Sequence, residues 1–217
     1  MKTNAFSIIV LIILIIPIIY LGFVFNSLPP QVATHFSING EPDDYSSKET
    51  LVFLVTFLLA TAIGVYLLLT NIQRIDPKRA AGQSKESMRK IGLTIVILIS
   101  GIAIVIINSA INNAISLGKF MLPALGLFFA YLGNLMYSVK PNYFVGIRTP
   151  WTLEDEDTWR KTHQVAGKLW FAGGILITLI TLIVAPEAGT IAMISIISIM
   201  TLIPVVYSYR YFKLHNR

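Results

Sequence analysis

Long apolar runs separated by polar segments make up most of the chain. Each run approaches the roughly 20 residues that an α-helix needs to cross a bilayer, so the pattern predicts six transmembrane helices. The predicted spans are Ala5 to Phe25, Thr50 to Asn71, Ile91 to about Ala114, Phe120 to Tyr137, Leu169 to Ala185, and Thr190 to about Tyr209. The predicted fold class is therefore all-α, a polytopic membrane protein with six transmembrane helices.

Two of the polar segments are rich in turn and cap signals. Residues 26–49 contain prolines and the pair Asn39-Gly40, which favours a tight turn between two short extended pieces. In residues 138–168, Thr152 stands three positions before Asp155 at a capping-box spacing, so Thr152 is the predicted N-cap. Trp159 then shares one helical face with other apolar residues. We expect a short interfacial amphipathic helix between helices 4 and 5.

Composition restricts the chemistry of the protein. Of its 217 residues, 55% are hydrophobic and 13% are charged, as in membrane proteins. The chain has no cysteine, which excludes disulfides, thiol catalysis and thiolate metal sites. Its net charge of +6 fits basic loops beside membrane spans, and direct nucleic acid binding is not expected because no soluble basic domain is predicted.

The distribution of basic residues predicts the orientation in the membrane. Of the 17 Lys and Arg residues, all except Lys48 and Lys119 fall on one side of the six predicted spans. Basic residues are enriched on the cytoplasmic side, so both termini are predicted to be cytoplasmic. This places the 26–49 loop outside the cell and the 138–168 loop inside it.

The predicted spans carry small residues but no charge in their central parts. Gly64 with Ala60, and Gly126, Gly133 and Asn134, are candidates for close helix packing. Ion and proton pathways ordinarily retain an ionisable residue inside the membrane. Its absence argues against a proton-coupled pump or an ion channel, whereas a peptide-binding protein needs none.

Two histidines raise the question of a chemical site. His35 with Glu41, Asp43 and Asp44 could bind a divalent cation, but the spacing is unspecific and favours a structural or peptide-contacting loop. His163 could act as a base, although no serine in a nucleophile elbow accompanies it. Residues around it are better explained as interfacial anchors, with Trp151 and Trp159 as the amphipathic rings, or as a docking surface for a cytoplasmic partner. Neither a catalytic residue, a metal nor a cofactor is predicted.

Two stretches carry a family resemblance. They read L-P-P-Q-V-A-T-H-F-S-I-N-G-E-P-D-D-Y-S-S-K (residues 28–48) and G-N-L-M-Y-S-V-K-P-N-Y-F-V-G-I-R-T-P-W-T-L-E-D-E-D-T-W-R-K-T-H (residues 133–163). Together they resemble the SdpI family, bacterial immunity proteins against the secreted killing peptide SDP, with an N-terminal segment of the DUF1648 type. Departures such as Ala33, Tyr137-Ser138 and Gln164 leave the membership intact and the ligand open.

The resemblance implies a multi-pass protein of the bacterial inner membrane. Residues 1–71 would form a DUF1648-like part and residues 72–217 an SdpI-like part. It implies resistance to a peptide toxin and, in some members, signalling by holding a transcriptional repressor at the membrane. The expected toxin-binding residues of the outer loop are His35, Phe36, Glu41, Asp43, Asp44 and Tyr45. The expected partner-docking or structural residues of the inner loop are Lys140, Pro141, Asn142, Tyr143, Gly146, Arg148, Thr149, Pro150, Trp151, Thr152, Trp159, Lys161 and His163.

Two other functions stay open. A transporter or exporter of a peptide or hydrophobic compound would have the same span pattern, and a membrane hydrolase would use His35 or His163. Neither has a sequence feature as specific as the K-P-N-Y-F to T-P-W-T-L run. Membrane lipids are expected partners in every case, and the oligomeric state is left open.

Overall fold

A computed structural model describes residues 5–37, 41–75, 77, 85–112 and 117–215. In that part of the chain, six helices are long and apolar enough to cross a membrane, as the sequence predicted. The predicted turn at Asn39-Gly40 lies outside the described residues, as does Asp76.

The helices and strands follow one another along the chain in this order. They are α1 (Ala5–Val24), a 3-10 turn (Phe25–Ser27), β1 (Gln31–Phe36), β2 (Pro42–Ser47), α2 (Lys48–Thr70), α3 (Ile72–Ile75), α4 (Lys85–Asn112), α5 (Leu117–Leu135), a second 3-10 turn (Met136–Ser138), α6 (Pro150–Glu154), α7 (Glu156–Ile183) and α8 (Pro186–His215). The spans are α1, α2, α4, α5, α7 and α8.

The long helices pack in two groups. α4 lies mainly against α2 and α1, and β1 also contacts α2 and α4. Their shared core contains the buried side chains of Val10, Leu14, Val55, Leu59 and Ile107. In the other group α7 packs between α5 and α8. The packing therefore groups α4 with α1 and α2. The division of the chain into residues 1–71 and residues 72–217 stays a prediction.

The seam between α5 and α7 is built from small residues of both helices. A Cβ atom at Gly133 would lie 2.4 Å from the backbone nitrogen of Phe171, and one at Gly174 would lie 2.3 Å from that of Ala130. Only glycine permits this approach of two backbones. Gly126, whose added Cβ would meet Thr178 at 2.4 Å, completes the seam.

Of the four predicted packing residues, the structure brings Gly126 and Gly133 into close helix contacts and does not bring Gly64 or Asn134 into one among the described residues. Nothing lies within 4 Å of a Cβ built at Gly64, so this glycine lines no close contact between described residues. Asn134 is exposed on α5 and does not face the seam. A one-position step along a helix turns the side chain by about 100°, so Asn134 points away although its neighbour Gly133 is buried.

The predicted interfacial helix is not a separate element. Its residues form the short α6 and the first turns of α7, which continues without a break for 28 residues into the fifth span. α4 likewise begins at Lys85, so residues assigned to the preceding polar connector are helical. Polar residues at these positions are helix formers, and hydrophobicity alone does not detect a helix that extends beyond the bilayer.

Candidate functional site

The two polar segments lie at opposite ends of the bundle. The hairpin end carries β1 and β2, and the loop end carries residues 139–155. Three spans, α2, α4 and α5, lie between the hairpin and the loop along the chain, and an odd number of crossings puts the two segments on opposite sides. Each end is described in turn.

The hairpin is anchored by the inward face of β1. β1 pairs antiparallel with β2, with Val32 opposite Ser46 and Ala33 opposite Tyr45. Val32 and Ala33 are 1% and 0% exposed, and Val32 joins the core that α1, α2 and α4 share. The two predicted extended pieces are therefore confirmed, and they are held against the helices by apolar contacts.

The outward face of the hairpin is polar and acidic. Of the six predicted toxin-binding residues, Phe36 is half-buried and the others are exposed, namely His35, Glu41, Asp43, Asp44 and Tyr45. Nδ1 of His35 lies 2.6 Å from a carboxylate oxygen of Asp43 across the two strands. Among the residues that the structure describes, no group of three or more potential ligands gathers around a point where a metal ion could bind. The arrangement offers a negatively charged surface.

Asn142 organises the loop end. Its side chain is fully buried, and its Oδ1 accepts hydrogen bonds from the backbone nitrogens of Phe144 and Val145, both at 2.7 Å. Its Nδ2 donates to the carbonyl oxygens of Lys140 at 2.8 Å and of Val145 at 3.0 Å. One amide thus satisfies four backbone groups, which fixes the turn after Pro141.

The turn at Gly146 fits against two rings of α7. Gly146 has φ 112°, and a Cβ there would lie 2.3 Å from Nε2 of His163 and 3.1 Å from the indole of Trp159. The rings of Trp159 and His163 stack with centroids 4.1 Å apart, and both side chains are buried. A side chain at position 146 would be strained and would collide with this stack.

Hydrogen bonds define the roles of the two rings. Trp159 Nε1 donates to the carbonyl oxygen of Val139 at 2.8 Å. The backbone nitrogen of Ile147 donates to Nε2 of His163 at 3.1 Å, so Nε2 carries no hydrogen and Nδ1 donates to the carbonyl oxygen of Trp159 at 2.8 Å. Both nitrogens of His163 are engaged, and the imidazole is neutral in this arrangement.

The cap of α6 lies three residues before the predicted position. Thr149 is the N-cap, and it forms a reciprocal capping box with Thr152, which is buried inside the first turn. The prediction of Thr152 as N-cap is therefore wrong. Asp155 caps α7, accepting from the backbone nitrogen of Thr158 at 2.6 Å. Pro150, at the first helical position, starts α6 where its missing N–H costs nothing.

The short α6 and the start of α7 are both joined to the end of α8 by polar contacts. Trp151 Nε1 donates to Ser208 Oγ, and its ring lies edge-on to Tyr209 with centroids 5.2 Å apart. The hydroxyl of Tyr211 donates to Asp157, which also accepts from Arg160. The sixth span is therefore tied to the loop end.

The predicted inner-loop residues divide into two sets. Buried within the loop are Asn142, Thr152, Trp159 and His163, and these are structural. Lys140, Tyr143, Arg148 and Pro150 are exposed, whereas Pro141, Gly146, Thr149, Trp151 and Lys161 are half-buried. The interpretation of Trp159 as an interfacial ring is wrong, because its indole is 1% exposed and packs in the protein core. Arg148 Nη1 donates to the carbonyl oxygen of Tyr143 and thereby spans the loop.

A cleft of about 630 Å³ opens beside this loop, between Lys140, Glu154, Glu156 and Arg160. Its walls carry both signs of charge, and Trp159 also lines it. The accessible surface of the loop end thus consists of this cleft and the exposed positions around Tyr143 and Arg148.

Several residues of the site were not predicted from the sequence. Ser208 and Tyr211 lie near the C-terminal end of α8 and contact residues more than 50 positions earlier. Gly167 and Gly174 form the α7 side of the seam with α5. The seven-residue spacing of these two glycines, two helical turns, is the signal that could have identified a packing face.

Comparison with known proteins gives matches in two parts of the chain. Residues 138–208 match the model of the SdpI/YfhL protein family, and residues 12–66 match a domain of unknown function, DUF1648. The chain is 24% identical over 180 residues to the immunity protein SdpI of Bacillus subtilis strain 168, across 83% of this chain and 82% of that protein. No solved structure matches the chain.

Proposed function

The chain belongs to the SdpI/YfhL protein family, and from that membership we propose that this multi-pass bacterial membrane protein binds and neutralises a secreted antimicrobial peptide. The observation that carries the proposal is the likeness to an immunity protein over 83% of the chain. Such protection needs a binding surface and no chemical reaction, so we propose a binding protein and not an enzyme. Residues 1–71 and 72–217 would be its DUF1648-like and SdpI-like parts.

The hairpin is the proposed contact for the toxin. The hairpin end faces outward if the basic residues set the orientation, so an arriving peptide would meet it first. Its exposed carboxylates at positions 41, 43 and 44 would attract a cationic part of such a peptide. His35, Phe36 and Tyr45 would supply ring contacts beside them. An apolar toxin segment would then lodge against the lipid-facing helices.

The loop end is the proposed surface for a transcriptional repressor, held at the membrane when toxin is bound. Its exposed residues Lys140, Tyr143 and Arg148 and the adjoining cleft would be available from the cytoplasm. A toxin signals only if it binds one arrangement of the helices better than another. The contacts of Trp151 with Ser208 and of Asp157 with Tyr211 offer a physical link, because they connect this surface to the sixth span.

Survival of a sensitive host tests the immunity proposal. The full chain is expressed in bacteria that SDP kills, and the cells are challenged with SDP and, separately, with culture supernatant of the bacterium that encodes this chain. We expect survival to rise in at least one challenge. The double substitution Asp43→Asn/Asp44→Asn should reduce the protective effect by about fivefold, since exposed ion pairs contribute up to about 1 kcal/mol.

Glu187→Gln provides the matched control. Glu187 is an exposed carboxylate at the start of α8, on the same side of the membrane as the hairpin by the order of the spans. Its neutralisation should leave protection unchanged. Equal survival with and without the chain in both challenges, with the protein present in the membrane fraction, would rule out immunity. Equal effects of Glu187→Gln and the hairpin substitutions would remove the hairpin from the mechanism.

A further inference from the structure

A polar cleft of about 390 Å³ lies at the loop-end side of the bundle, away from residues 139–155. It is formed where α1 begins, α2 ends and α4 begins, and α3 closes one side. These are the limits of three membrane-spanning helices, so the cleft lies at the depth of lipid headgroups. None of the hairpin or loop residues discussed above lines it.

The cleft is strongly cationic. Arg74 projects from α3, and Lys85 and Arg89 lie four positions apart on one face of α4. Among the residues that the structure describes, no carboxylate lines the cleft. Glu86, the acidic residue beside Lys85, bonds Lys90 at 2.7 Å. Three cations from two helices therefore converge on one cavity, an arrangement that favours a multiply coordinated oxyanion such as a phosphate.

Several carbonyl oxygens at the end of α2 accept hydrogen bonds from neutral groups of the same segment. The backbone nitrogen of Asn71 donates to the carbonyl oxygens of Leu67 at 3.1 Å and Leu68 at 3.2 Å, and its Nδ2 donates to Leu67 at 2.8 Å. The hydroxyl of Thr70 donates to the carbonyl oxygen of Tyr66 at 2.9 Å. Side-chain cations often cap free carbonyls, but neutral groups already occupy the carbonyl oxygens of Tyr66, Leu67 and Leu68.

The lip of the cleft is apolar and faces the bilayer. Leu67, one of its lining residues, is 51% exposed, and neighbouring Leu68 and Ile75 are also exposed. A ligand that filled the cavity and left along this lip would touch cations at one end and leucine side chains at the other. A phospholipid has a charged headgroup and an apolar tail to match these two ends, whereas a free phosphate ion has no apolar part.

We propose that this cleft binds the phosphate group of an anionic phospholipid, with Arg74, Lys85 and Arg89 contacting the phosphate oxygens and an acyl chain lying along Leu67. The bound lipid would tie α1, α3 and the start of α4 together at the membrane surface. This inference is independent of the proposed immunity function, because it depends on neither the hairpin nor the loop end.

Native mass spectrometry of the full chain in neutral detergent tests the proposal. The probes are dioleoylphosphatidylglycerol, dioleoylphosphatidylcholine and inorganic phosphate. We expect one phosphatidylglycerol to bind with the highest affinity. The triple substitution Arg74→Gln/Lys85→Gln/Arg89→Gln should weaken that binding by about 100-fold, since each basic residue near anionic lipid contributes a factor of about five. Arg74→Gln alone, at an exposed position, should weaken it by about fivefold.

The control is Lys168→Gln/Arg210→Gln/Lys213→Gln, which removes three exposed cations outside the cleft. It should retain the tightly bound lipid. Equal loss in the control and the cleft variants would overturn the proposal, as would equal affinity for the zwitterionic lipid. Binding of inorganic phosphate as tightly as phosphatidylglycerol would assign the cleft to a soluble anion and exclude the lipid. Should the triple variant fail to fold, the single variant decides the same question.

Discussion

Asn142 is the residue on which the geometry of the loop end most depends. Its amide is both donor and acceptor, and its four backbone partners are on either side of the turn. The sequence identified the position only as part of a distinctive polar run. Its role follows from burial, because a buried backbone group that loses its partner is costly while an exposed one is solvated by water.

Asn142→Asp should destabilise the protein by about 3 kcal/mol or more, since a carboxylate of the same shape cannot donate to the carbonyl oxygens of Lys140 and Val145. The measurement is the free energy of unfolding in mixed detergent micelles. Asn26→Asp, at an exposed position in the first 3-10 turn, is the control and should be nearly neutral. An equally small effect at both positions would contradict the structural role of Asn142.

Two aromatic residues, Trp159 and His163, have roles in the structure that differ from the predicted ones. Trp159 and His163 suggested an interfacial ring and a base, since both side chains are amphipathic. Each side chain instead forms a hydrogen bond with a backbone group of the loop, Trp159 with the carbonyl oxygen of Val139 and His163 with the backbone nitrogen of Ile147. Their partners are 20 and 16 positions away, and no local pattern in the sequence encodes that distance.

Helix packing decides structure at the scale of elements. α5 and α7 meet with their backbones in near contact, so the glycines of both helices form one surface. The sequence identified Gly126 and Gly133 and missed Gly167 and Gly174. Small residues mark a helix that can approach another, but they do not tell which helix is the neighbour. For that reason Gly64, which has the same local signal, lines no such seam in the described part of the chain.

Gly174→Ala should destabilise the bundle by about 1–3 kcal/mol, because the new methyl group would lie 2.3 Å from the backbone of Ala130 and force two rigid helices apart. Gly64→Ala should instead be neutral or stabilising by up to about 1 kcal/mol, since alanine is the better helix former and has room there. Thermal unfolding of both variants in detergent measures the difference. The same sign of effect at both positions would contradict the proposed seam.

The whole molecule places an acidic hairpin and a loop of mixed charge at opposite ends of a six-helix bundle. Proposed recognition of a toxin outside and of a partner inside depends on this separation. The even number of candidate spans puts the described ends of α1 and α8 on one side. Which side that is follows from the positive-inside distribution and stays a prediction.

Cysteine labelling checks the orientation, and the chain offers a clean background because it has no native cysteine. Ser37→Cys on the hairpin should react in intact cells with a membrane-impermeant maleimide. Glu154→Cys, at an exposed position of α6, should react only after the cells are permeabilised. Labelling of both in intact cells, or of neither before permeabilisation, would contradict the placement of the two surfaces on opposite sides.

The sequence by itself determined the number of spans, the two polar segments and the extended pieces of the hairpin. Transfer into a bilayer depends on the composition of about 20 consecutive residues, so each span is a local property. Tertiary structure alone decided that Asn142, Trp159 and His163 are buried, that α7 is continuous, and which glycines face each other. Those features depend on which distant segments become neighbours, and burial is a property of the neighbours as much as of the residue.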